Sequence, residues 1–350
     1  MNMKIYKLIT ICVIGLLAEG CTNEFDEDVK LGISVSANEN VGFDGHIITV
    51  KKGVPVTFKM SGVPDFLTFF SGEEGHKYEY RERQTIDPSQ IKSSKLDISL
   101  YYQWGSPSMV ESRIYLSESF PGLNKSDFEA DSLLVEQYEK EGEWSVLVPN
   151  ALLGYDFPIK TGSENKQVYT FDMTSYLNKK VTLAIRYKGI NNAAVQSRLY
   201  FTQMHFSNEL NNGSLLTFGA SSFGFTPVNM KNRCNFSDQA GMTSDREYGT
   251  STGAIAGIWN LETIGTESFY LHSSNQNDPM KYSWLVSEPL VLNSCEPDHG
   301  TKIKDITQSL ESYTYTYDEI GIYNATFLAR NANIDHLSTA TYNFVVNVVE

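Results

Sequence analysis

Aromatic rings set beside amides are the side chains whose type and spacing most suggest a task. Tyr101, Gln103 and Trp104 fall within four residues, and Trp259 is followed by Asn260. An aromatic face stacks on the C–H surface of a pyranose while amides reach its hydroxyls, so these five residues are the candidate ligand contacts. A second group is made of hard oxygen donors, Asp172, Asn275, Asn277 and Asp278. These suit calcium, although no calcium-loop motif is complete, so a structural calcium is the one cofactor they could hold. Gly249-Thr250-Ser251-Thr252-Gly253 has nucleophile-elbow spacing, but that device needs an apolar strand before the serine and a helix after it. The preceding Met242 to Tyr248 is largely polar, so the stretch reads as a loop. The histidines, His46, His76, His205, His272, His299 and His336, are scattered without the spacing of a helical zinc site. Glu73 and Glu74 beside Asp65 could pair as a glycosidase's acids do, but they sit in a stretch that reads as a solvated turn. No catalyst is expected.

These residues must be positioned by strands. Tyr and Phe together number 39, and short runs of Val, Ile and Thr are separated by Gly, Asn, Asp and Ser, which predicts an all-β chain. Alternation puts Leu96, Ile98, Leu100, Tyr102 and Trp104 on one face of a strand and Asp97, Ser99, Tyr101 and Gln103 on the other. Tyr101 is therefore the aromatic left facing outward. Further strands are read at Arg113–Ser117, Glu143–Val148, Val181–Tyr187 and Leu199–Phe206. A helix is predicted between Lys125 and Lys140, with Ser126 and Glu129 at capping-box spacing. Trp144 and Trp284 lie in apolar runs and belong to the core.

The ends of the chain carry the address. Lys4 and Lys7 precede the apolar run Leu8 to Ala18, which is the pattern of a secretory signal over residues 1–20 and is too short to span a bilayer. Leu16-Leu17-Ala18-Glu19-Gly20-Cys21 resembles a bacterial lipobox, which implies that Cys21 is acylated; ordinary secretion with cleavage nearby is the alternative. Several acyl chains would anchor the protein stably. The acidic run Thr22 to Asp28 resembles the export tag of Bacteroidetes surface lipoproteins, and residues 21–35 read as a lipidated tether. That implies an outer-membrane protein, lipid-anchored and exposed at the cell surface. Without the signal the chain holds 26 basic against 41 acidic residues, a balance that repels nucleic acid and anionic lipid. The membrane would then be met only through the lipid. Cys234 and Cys295 remain in an oxidising compartment, where they could pair or stay as separate buried thiols.

The stretch Val54 to Tyr80 begins a small sandwich that its neighbours do not finish. Gly53 through Phe70 resembles the opening half of a PKD-type immunoglobulin-like module. Tyr313–Tyr317, Gly321-Ile322-Tyr323-Asn324-Ala325-Thr326-Phe327 and Thr341–Val349 resemble its closing half. Neither half buries enough surface alone, so residues 36–85 and 306–350 are expected to form one split domain, with two unrelated incomplete modules as the alternative. Residues 86–305 would then be an insertion. Its Phe171–Phe206 segment, with Ile114–Ser117 and Tyr282–Leu290, resembles the jelly rolls of secreted bacterial adhesins and carbohydrate-binding modules. The whole arrangement is similar to a Bacteroidetes lipoprotein family labelled a domain of unknown function. What the resemblance implies is a non-catalytic surface lipoprotein that binds glycan as an accessory to polysaccharide capture, as a monomer or within a surface assembly. A protein-binding or adhesive module without a glycan site is the alternative. The split module reads as a pedestal and the insertion as the place for function.

Overall fold

The protein is described from a computed structural model, which covers residues 28–62, 64–230, 244–249 and 255–350. Strands β1 (Leu31–Val35), β2 (Val41–Phe43), β3 (Ile47–Lys51), β4 (Pro55–Gly62) and β5 (Phe66–Phe70) lead in. There follow β6 (Ile91–Tyr102), β7 (Val110–Ser117), β8 (Ser145–Val148), β9 (Gln167–Asp172), β10 (Lys180–Gly189) and β11 (Leu199–Leu210). Next come β12 (Leu215–Gly219), β13 (Thr226–Asn229), β14 (Trp259–Asn260), β15 (Phe269–Leu271), β16 (Tyr282–Val286) and β17 (Leu290–Val291). The chain closes with β18 (Thr301–Lys304), β19 (Ser312–Thr316), β20 (Gly321–Ala332) and β21 (Leu337–Val349). The fold is all-β, built of sheets packed as sandwiches.

The chain divides into two compact units, one holding the residues up to Gln84 together with Cys295–Glu350, the other Thr85–Ser294. In the terminal unit the strands of each half pair with strands of the other. β4 lies between β1 and β19, β5 between β18 and β20, and β3 between β2 and a parallel β21. Each half alone would leave β3, β4 and β5 with open edges and an uncovered core. Val56 and Phe58 from one half meet Phe327, Phe344 and Val346 from the other, with Phe58 and Phe327 edge to face at 4.9 Å. The sequence places the return at residue 306, whereas the structure places it at Cys295. The reason is β18, whose Thr301 and Lys302 pair with Phe69 and Thr68 of β5.

The inserted unit is a sandwich of two six-stranded sheets. One runs β14-β15-β11-β6-β9 with β12 beside β11, and the other β13-β16-β10-β7-β8 with β17 beside β10. Leu96, Ile98, Leu100 and Tyr102 of β6 point into the shared core with Leu183, Ile185 and Tyr187 of β10. Helix α1 (Phe128–Glu141) covers the far side of the second sheet, burying Phe128 and Val135 with Tyr115, Trp144, Trp284 and Val286. Strands β10 and β16 are thus covered on both faces, which is why they read as continuous apolar runs. The helix is capped by Asp127, whose side chain accepts from the Ala130 N–H at 3.0 Å, and not by Ser126. It ends at Gly142, which takes the left-handed φ of +77°.

Candidate functional site

Strands β6, β11 and β15 lie side by side, and their register sets Tyr101 opposite Tyr200 and Tyr200 opposite Tyr270. Residues directly opposite share a face, and the neighbours Tyr102, Leu199 and Leu271 occupy the core face. The tyrosines therefore form a ladder across the outer face of the sheet. Ring centroids are 5.3 Å apart for Tyr101 and Tyr200, and 5.4 Å for Tyr200 and Tyr270, the latter nearly parallel at 9°. Stacked so, the rings use up much of their own faces, and Tyr101 is only 8% exposed. What the ladder offers outward is edges and hydroxyls. The Tyr200 hydroxyl is 2.8 Å from that of Ser268.

One end of the ladder carries a cation and an open ring. The Arg198 guanidinium lies 4.6 Å from the Tyr270 ring centre, donates to Gln103 Oε1 at 3.0 Å, and bonds His272 Nδ1. Burial and then the Arg198 charge push His272 down to about 4. At neutral pH the imidazole is uncharged, which leaves Nδ1 free to accept from the guanidinium. Burial likewise lowers Arg198, with the nearby tyrosines opposing it, and raises Tyr101. Trp104 comes just after β6, its carbonyl accepting from the Arg198 N–H at 3.1 Å, and its side chain is 54% exposed. Alternation would turn Trp104 inward with Tyr102, but the strand stops at Tyr102 and Gly105 turns the chain at φ +84°.

Further down the same face His205 lies between carboxylates, 3.0 Å from Glu267 and 3.6 Å from Asp97. Thr170 donates to Asp97 at 2.5 Å, and Gln203 reaches Ser99 at 3.4 Å. This part of the face is a cross-linked polar surface, with its acids already partnered.

The sequence picks Tyr101, Gln103 and Trp104 from this cluster and misses Arg198, Tyr200, Tyr270 and His272. Tyr200 could have been found, since alternation between Leu199 and Phe201 leaves it outward. Trp259 is a correction, because it faces Leu271 on the core side, packs 6.3 Å from both Phe201 and Phe269, and is fully buried. Asn260, opposite Tyr270, shares the ladder's face but is 3% exposed, its amide tied to Glu262 at 3.1 Å. The proposed calcium donors are also not brought together. Asp172 sits opposite Lys95, seven positions along β6 from Tyr102, about 23 Å at strand rise, where it accepts from the Thr174 N–H. Asn275 and Asp278 instead bond each other, the Asp278 carboxylate accepting from the Asn275 N–H at 2.9 Å, while Asn277 donates to Asn192 O. Among the described residues no group of three or more His, Cys, Asp or Glu side chains is gathered as a metal site. Glu73 is bonded by Ser71 and Tyr315 after β5, whereas Asp65 accepts from the Ala332 N–H at the other end of that strand. Cys21, Cys234 and Ser251 lie outside the described residues. Cys295 is half-buried, with no disulfide partner among the described residues and its thiol pushed up by burial.

No curated protein and no solved structure matches the chain. A family model described as Domain of unknown function (DUF5017) matches residues 35–223, more than half of the 350 residues, running from the first half of the terminal unit into the inserted one. The chain belongs to the DUF5017 family of domains of unknown function.

Proposed function

We propose that the protein is a non-catalytic lipoprotein of the bacterial cell surface, anchored through Cys21, that binds glycan on the outer face of the inserted sandwich. The terminal unit is read as a PKD/Ig-like module and the insertion as a jelly roll of the adhesin and carbohydrate-binding type. The observation that carries the reading is Trp104, an open aromatic that follows Gln103 in the chain and whose carbonyl accepts from the Arg198 N–H. The Gln103 amide and the Arg198 guanidinium bond each other, and the guanidinium is held by the Tyr270 ring and His272. An exposed aromatic face with oriented donors on the neighbouring residues suits a pyranose ring and its hydroxyls. The negative charge of the chain favours a neutral polysaccharide over an acidic one.

Affinity electrophoresis against a panel of neutral polysaccharides tests it. Retardation by at least one glycan is expected, and Trp104→Ala should weaken it about tenfold or more while leaving thermal stability within about 0.5 kcal/mol, as an exposed position allows. The second reading, a protein partner, is favoured by the bare side chains of Leu152 and Ile159, 98% and 86% exposed. Ile159 borders a cleft of about 380 Å³ also lined by Phe157 and Pro158. Contiguous exposed apolar surface marks protein–protein contacts among other interaction sites. No retardation by any polysaccharide would turn the assignment to it.

A further inference from the structure

The terminal unit has a built hollow of its own, on the outer face of the six-stranded sheet and away from its core. Its floor is made by β20 and β21. Ala325 and Phe327 point to the core, so Asn324 and Thr326 point out, and register places Asn343 opposite Thr326. The wall is the segment Lys77–Glu79, and the space enclosed is about 500 Å³, within the ~300–1,000 Å³ of small-molecule sites.

The wall is held rigidly by groups that do not line the hollow. Asp298 is buried, accepts from the Lys77 N–H at 2.9 Å and pairs with Arg83 at 2.7 Å, while its own N–H donates to Tyr80 O. His76 Nδ1 lies 2.6 Å from His299 O. Gly72 lets the wall meet the floor: its φ is +86°, and a Cβ there would lie 2.6 Å from the Asn324 nitrogen. Tyr78 is pinned by Arg81 over its ring at 4.0 Å and by Phe70 edge to face at 5.4 Å.

The polar groups facing the hollow are unspent. Buried Thr326 donates to Asn343 Oδ1 at 2.9 Å, which orients the Asn343 amide and leaves both its N–H donors without a partner among the described residues. The Asn324 amide and the Glu79 carboxylate have none there either, and the Lys77 ammonium is near only the Tyr80 ring, at 5.6 Å. Donors and acceptors thus share the lining with the Tyr78 ring, together with one cation, Lys77, one anion, Glu79, and the His46 imidazole. We infer that this hollow is a separate binding site for a neutral, ring-sized polyhydroxylated ligand, independent of the inserted unit's tyrosine face.

The test is calorimetric titration of the full mature chain, residues 21–350, with maltohexaose, cellohexaose and xylohexaose. Asn343→Leu and Asn324→Leu each change an exposed side chain, and Trp104→Ala serves as the comparison. With at least one probe, both Asn variants should lose binding by about tenfold or lose one unit of stoichiometry, Asn324→Leu with its melting temperature unchanged and Asn343→Leu with a small drop from the stranded Thr326 hydroxyl, and Trp104→Ala should retain that component. Binding abolished by Trp104→Ala and untouched by both Asn variants overturns this site while supporting the one on the insertion. Loss in the Asn variants alone does the reverse. Silence with every probe overturns the hollow as a site for such ligands.

Discussion

At neutral pH His272 carries no charge, because burial and the Arg198 guanidinium favour the neutral ring and push it down to about 4. In the unfolded chain the same side chain titrates near its ordinary value of about 6.5. Between those values the unfolded state binds the extra proton, so stability is full above about pH 6.5 and falls as the pH drops toward about 4. Replacing His272 by Gln should flatten that part of the profile, which urea midpoints measured from pH 7 to pH 4 would show; an unchanged slope would place the titration elsewhere. The same scale shows what one sequence can and cannot tell. Tyr101 is legible as outward because it belongs to a long alternating strand. Trp259 is not, since a two-residue strand has no alternation from which to read its phase. Trp104 is exposed for a reason alternation cannot carry, namely that the strand stops two residues before it. Arg198 matters only through partners, and nothing in its own neighbourhood along the chain names Gln103, Tyr270 or His272.

Elements differ in how much of themselves they write into the sequence. The helix is legible over residues 125–140, because its apolar positions recur at helical spacing, but the cap falls one residue after the Ser126 that capping-box spacing predicts. Asp127 bonds the Ala130 N–H, whereas the Ser126 hydroxyl turns back to Asn124 Oδ1 at 2.7 Å. Asp127→Ala should therefore cost about 1 kcal/mol, and Ser126→Ala only a few tenths, in urea unfolding. Equal effects would return the cap to Ser126. The tyrosine ladder is an element-scale feature of another kind. It exists because β6, β11 and β15 meet in one register although the tyrosines paired across them are 99 and 70 positions apart. Hydrophobic periodicity fixes which face each tyrosine takes, but not which strand will lie beside it.

For the whole molecule, the need for a closing half was readable from the burial deficit of the first strands, and the pairing of β3, β4 and β5 with β21, β19 and β20 shows the physical reason. The return point was misplaced because β18 is only four residues long, Thr-Lys-Ile-Lys, with little apolar signal. The two ends of the insertion are joined on their own account: the Ile86 N–H donates to Asn293 O at 2.8 Å, and Asn293 Nδ2 donates to Ile86 O at 2.6 Å. Residues 85–294 expressed alone should accordingly unfold in one cooperative transition with dispersed amide resonances; an aggregated or molten product would mean that the insertion needs its host. The backbone therefore passes between the units twice, and the passages are bonded to each other, Gln84 O accepting from the Cys295 N–H at 2.9 Å beside the Thr85–Ser294 bridge. A pull applied to the insertion is shared by two covalent tethers rather than borne by one. A single cut in either tether would leave the load on the other, so the chain is doubly moored where a conventional string of domains would part.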